Sequence, residues 1–178
     1  MINPAVFAFL TGLHFAILQF CFLMILAVYI SSAYLTYAII TFSWMCGSVA
    51  GLWLKNLHVR GGLALGAAGY YGVYALAAQF PFSRWTLLAG AVGALLAGLW
   101  AGRFFVVMLP GFKTADRLFF HENNGFIAGI VAFFVGFTLL GRNFTLWTPA
   151  ILASFLLAGD RRTNGLEGNP SGSLHERG

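Results

Sequence analysis

The first charged side chain in this chain is Lys55. A single helical crossing of a bilayer needs about 20 mostly apolar residues, so the uncharged stretch before Lys55 is long enough for two. The rest of the sequence continues in kind: 60% of the 178 residues are hydrophobic and 8% are charged. A soluble domain carries about 25% charged residues to cover its surface. With a mean hydropathy of +0.82, the chain reads as one whose main solvent is lipid. The N-terminus shows no positive n-region and no small-residue cleavage site, and the apolar segment beginning at Pro4 is too long for a signal core, so it is expected to stay as the first helix.

Six apolar segments follow one another, at about 5–29, 33–54, 62–80, 85–109, 125–141 and 144–158. Ser31 and Ser32 break the first pair. A loop with Lys55, Asn56, His58 and Arg60 comes next, then a tight turn at Pro81–Arg84. The longest connection runs from Pro110 to Asn124, and Gly141, Arg142 and Asn143 make the last turn. On alternate sides of six crossings, Lys55, Arg60, Arg103, Lys113, Arg117, Arg161, Arg162 and Arg177 fall together, against Arg84 and Arg142. The positive-inside rule then predicts an all-α polytopic bundle with both termini cytoplasmic, in a bacterial-type inner membrane. The predicted bundle occupies residues 1–159. From Asp160 to Gly178 the chain turns polar and rich in Gly, Asn and Ser, the composition of a flexible cytoplasmic tail.

The positive balance of +5 is scattered through loops and tail and forms no stripe, which argues against nucleic acid. Cys21 and Cys46 sit in apolar segments with no second Cys or His at ligand spacing, so neither a disulfide nor a metal site is expected. Glycines recur four apart at Gly47 and Gly51, Gly62 and Gly66, Gly98 and Gly102, and Gly125 and Gly129. That spacing lets helix backbones approach closely in lipid, and packing within one bundle accounts for it.

Ionisable groups at membrane depth are functional candidates by default. His14 falls near the middle of helix 1, where an imidazole can bond a neighbouring helix or, alternatively, serve a haem or a proton relay. Arg103 lies toward the end of helix 4, after Trp100, which with Trp85 and Trp147 reads as an interface marker. His121 and Glu122 open helix 5 on the same side, so an Arg103–Glu122 ion pair between helices 4 and 5 is expected as a structural clasp. Glu122 would also complement the positive end of its helix. Thr11, Gln19, Ser43, Ser48 and Thr138 are expected to bond between helices, and Pro149 is the clearest internal helix breaker. No cofactor is predicted, haem or quinone at His14 or His121 being the alternative. No nucleophile with a base and an orienting partner is evident.

The order of motifs FLTGLHFAILQ, TFSWMCGSVAGLWL, LALGAAGYYGVYAL and ENNGFIAGIVAFFVGFTLLGRNFTLW resembles the integral membrane domain of membrane-bound spermidine synthase-like proteins, itself similar to half of a major-facilitator transporter. The resemblance covers roughly residues 5–158 and implies a helix-packing role for Glu122, Gly125 and Gly129. The family's soluble aminopropyltransferase domain, with its Gly-rich nucleotide-binding loop, has no counterpart after Asp160, so a synthase activity is not expected. The preferred expectation is a non-catalytic membrane subunit or anchor that holds a protein partner or oligomerises with itself. A small permease-like half that oligomerises, and a lipid-, quinone- or haem-binding component, are the alternatives.

Overall fold

A computed structural model describes residues 3–30 and 33–164. Over these residues the chain is helical throughout, with α1 at Pro4–Ile30, α2 at Ala33–Gly51, α3 at Val59–Gln79, α4 at Arg84–Met108, α5 at Ala115–Leu140 and α6 at Arg142–Asn164. A single 3-10 turn, Leu109–Gly111, follows α4 where Pro110 removes a backbone donor. Three stretches are long and apolar enough to cross a membrane: Pro4–Ile30, Arg84–Gly111 and Ala115–Leu140. The exterior is apolar as well, with Phe42, Trp53, Leu139, Ile151 and Phe155 among the large side chains left exposed. Surfaces this apolar are rare on soluble monomers.

Turn chemistry sets the helix ends. Ser83 caps α4 by accepting from the Trp85 N–H at 3.3 Å. The preceding Phe82 has φ +63° and donates its N–H to the Tyr29 carbonyl at 2.8 Å, which ties this turn to the end of α1. Gly141 adopts φ +54° between α5 and α6, a backbone state that a side chain would strain.

Two segment boundaries differ from expectation. The fifth helix starts at Ala115, not near Gly125. Its polar stretch HENN dilutes the hydropathy, yet Leu118, Glu122, Gly125, Gly129 and Phe133 lie three or four apart on one buried stripe. The sixth helix runs unbroken through Pro149 and on to Asn164, so the change of composition at Asp160 does not end it. Residues 165–178, which make up most of the predicted tail, lie outside the described residues.

Contacts between helices give their directions. Along α1 and α5, Phe9 meets Gly125, Leu13 meets Gly129 and Phe20 meets Phe133, so the two run parallel. Along α2 and α4, Trp44 meets Gly98 and Ser48 meets Gly102, again in parallel. By contrast α3 runs against α4, with Gly62 on Trp100 and Gly69 on Gly93. It also runs against α6, with Tyr70 on Thr145 and Tyr74 on Arg142. Directions therefore alternate along the chain. One end of the bundle gathers Lys55, Arg60, Arg103, Lys113 and Arg117, and the other holds Arg84 and Arg142.

The pairing also contains an inverted repeat. Replacing α1, α2 and α3 by α4, α5 and α6 turns the α1–α5 pair into α4–α2 and the α3–α4 pair into α6–α1, all of which occur. Because directions alternate, each helix is matched by one running the opposite way. The correspondence holds residue by residue. A Cβ on Gly12 would strike the Glu122 carbonyl, and one on Gly98 would strike that of Trp44. Gly125 faces the Phe9 carbonyl as Gly47 faces that of Leu95, and Gly129 faces Leu13 as Gly51 faces Leu99. The sequence carries the same relation: Leu10-Thr11-Gly12-Leu13 matches Leu96-Ala97-Gly98-Leu99, and Gly47-Ser48-Val49-Ala50-Gly51 matches Gly125-Phe126-Ile127-Ala128-Gly129.

Candidate functional site

The two glycine crossings bind α1 to α5 and α2 to α4, and between these pairs, in the half of the bundle nearer the basic end, lies a cavity of about 540 Å³ that opens to the exterior. Phe15 forms its floor from the middle of α1. The last turns of α2 contribute Trp44, Ser48 and Val49, and Leu52 follows just past the helix end. Ala101, Gly102 and Phe105 come from α4, and Phe119, Glu122, Asn123 and Phe126 from α5. The aromatic walls interlock: Phe15 meets Trp44 edge-on at 6.0 Å between centroids, and Phe105 stacks on Phe119 at 4.5 Å.

Glu122 is the one ionisable side chain in this lining. It is 7% exposed, on a helix position whose backbone carbonyl is pressed against Gly12. Among the described residues it has neither a hydrogen-bond nor an ion-pair partner. Its carboxylate oxygens keep accessible surface in the open cavity and are not sealed in the core. The repeat-related position in α2 holds Trp44, which lines the same cavity. A carboxylate where the repeat carries an aromatic ring is thus an asymmetry within a symmetric framework.

The expected ion pair with Arg103 is not formed. The Arg103 guanidinium donates instead to the Lys55 carbonyl at 2.8 Å and to that of Leu57 at 3.4 Å, holding the α2–α3 loop. Unpaired loop carbonyls past the end of α2 compete successfully for it. Nor does Glu122 open its helix: seven residues of α5 precede it, with Asp116 in the first turn, so it lies beyond the reach of the helix-end charge.

The other sequence candidates are placed as follows. His14 is 2% exposed in the core, its Nδ1 without a partner and its ring beside Phe15. His121 lies against Phe112 and Phe120, away from those neighbours. Neither lines the cavity, and no group of three or more potential metal ligands occurs among the described residues. Trp100 is no interface marker: it is 2% exposed, packed on Gly62 and Phe104. Gly66 makes ordinary contact with Ala97 and Leu18. Three hydroxyls expected to bond between helices bond within their own instead, Thr11 to Phe7, Ser48 to Trp44 and Thr138 to Phe134, because a carbonyl four residues back is the nearest acceptor.

A feature that sequence reasoning missed lies at Pro149. Proline lacks the N–H that would bond the Thr145 carbonyl. That carbonyl accepts from the Tyr70 hydroxyl at 2.7 Å. The neighbouring Tyr71 hydroxyl donates to the Leu146 carbonyl at 2.7 Å and accepts from the Ala150 N–H at 3.1 Å. Tyr74 accepts from Arg142 Nε at 2.6 Å. The YYGVY run of α3 therefore supplies, from a neighbouring helix, the bonds the proline removes. The spacing of three tyrosines on one helix face was the available signal.

Compared with protein families, with characterised proteins and with solved structures, the chain matches none.

Proposed function

We propose that this chain is an integral membrane protein of six crossings that binds a ligand in the lateral cavity, in the manner of a transporter half. The observation that carries the reading is Glu122, buried without a partner in an aromatic cavity where the related repeat position holds Trp44. Inverted repeats with a polar site between them are a common plan of transporter folds.

Six crossings draw support from length as well as hydropathy. The shortest helix, α2, has 19 residues and at about 1.5 Å per residue nearly spans a hydrocarbon core of about 30 Å. In this reading the basic end of the bundle faces the cytoplasm, and the cavity lies in the half of the bundle nearer that side.

Native mass spectrometry of protein taken from membranes into mild detergent tests the reading. The wild type is expected to carry a small-molecule adduct that is lost in Val49→Trp, a substitution at an exposed position on the cavity wall. An adduct indifferent to that change, or none at all, overturns it. A stoichiometric protein partner in place of an adduct favours the subunit or anchor role, which leaves Glu122 without a purpose.

A further inference from the structure

We infer that the cavity takes an amphiphile with a single ammonium headgroup, whose cation pairs with Glu122 and whose apolar chain lies along the aromatic walls. The inference rests on the ligand-binding reading above and adds the chemistry of the ligand.

Two independent features of the lining converge on it. The first is charge: the one ionisable group is a carboxylate, more than nine-tenths buried and unpartnered among the described residues. A buried carboxylate is completed by a cation. The nearby cation on α4 is unavailable, since Arg103 is held by the Lys55 and Leu57 carbonyls. The second is the wall. Phe15, Trp44, Phe105, Phe119 and Phe126 line one space, and aromatic rings grouped around a site are the surroundings that bind ammonium groups through their quadrupoles.

The remaining features set the shape of the ligand. A single carboxylate complements a single positive charge, and the uncharged remainder of the cavity complements an apolar chain. An anionic headgroup would bring like charge against Glu122. A neutral hydroxyl could donate one hydrogen bond to the carboxylate but would leave its charge uncompensated.

Binding of radiolabelled decyltrimethylammonium to the purified protein in a neutral maltoside detergent, read by scintillation proximity, tests this. Saturable binding is expected, displaced by decylamine and at least about tenfold less effectively by decanol or decanoate. Glu122→Gln, which keeps the shape of the side chain, should weaken decyltrimethylammonium binding by about tenfold or more. Phe119→Leu, at a half-exposed wall position, should weaken it by about two- to fivefold, the scale of a ring–cation contact, without changing competition by decanol. If decanol or decanoate competes as well as decylamine and Glu122→Gln binds normally, the ammonium assignment is wrong while ligand binding by the cavity stands. If none of the amphiphiles binds saturably, both readings fall.

Discussion

The repair of α6 by α3 makes a sharp energetic prediction. Tyr70 is fully buried, and Tyr70→Phe keeps its ring, including the edge-on contact with Phe22 at 5.2 Å. What is lost is one hydroxyl, with its 2.7 Å bond to the Thr145 carbonyl and its contact with the Cys21 thiol. With Pro149 four residues on, no backbone N–H takes its place, so the carbonyl is left buried and unsatisfied. Such a loss costs about 1–3 kcal/mol; interhelical bonds measured in lipid reach about 1.7 kcal/mol, so about 1–2 kcal/mol is the expected destabilisation. In a Pro149→Ala background the new N–H can bond Thr145, and the same Tyr70→Phe change should cost less by about 1 kcal/mol. The assay is a double-mutant cycle on unfolding in detergent–lipid mixtures, followed by far-UV circular dichroism. Equal costs in the two backgrounds, within about 0.3 kcal/mol, would refute the claim that Tyr70 compensates for the proline.

Three further outcomes are expected. Gly102→Ala sets a Cβ against the Ser48 carbonyl and should destabilise the α2–α4 crossing, whereas Gly72→Ala, with nothing within 4 Å, should be neutral or stabilise by up to about 1 kcal/mol; paired thermal melts compare the two. Arg103→Gln should free the α2–α3 loop and speed tryptic cleavage after Lys55, with no coupling to Glu122→Gln in a stability cycle; a measurable coupling would restore the ion pair. His14→Phe removes a buried, unbonded Nδ1 and should leave the melting temperature unchanged or raised; a marked drop would show that the imidazole is needed for packing.

Hydropathy alone located the six helices, because apolar runs of this length have few other uses. It misplaced the start of α5, where His121, Glu122, Asn123 and Asn124 lower the average although their helix continues. The partner of Arg103 was illegible for another reason: two charged residues at equal depth suggest an ion pair, while backbone carbonyls, present at every position, carry no signal in sequence. Trp100 reads equally well as an interface ring or a core ring, and only the facing Gly62 decides. The cavity could have been approached through the repeat. Aligning Gly47 and Gly51 with Gly125 and Gly129 sets Glu122 opposite Trp44 and marks the carboxylate as the departure from symmetry.

The interleaved pairing of helices has a consequence for biosynthesis. The helix that closes on α1 is α5, so the glycine face of α1 emerges from the ribosome long before its partner exists, whereas α2 waits only for α4. In the interval Gly12 and its neighbours lack the helix they pack against. The order of synthesis thus makes the α2–α4 pair the natural first assembly, onto which α1 is locked when α5 arrives.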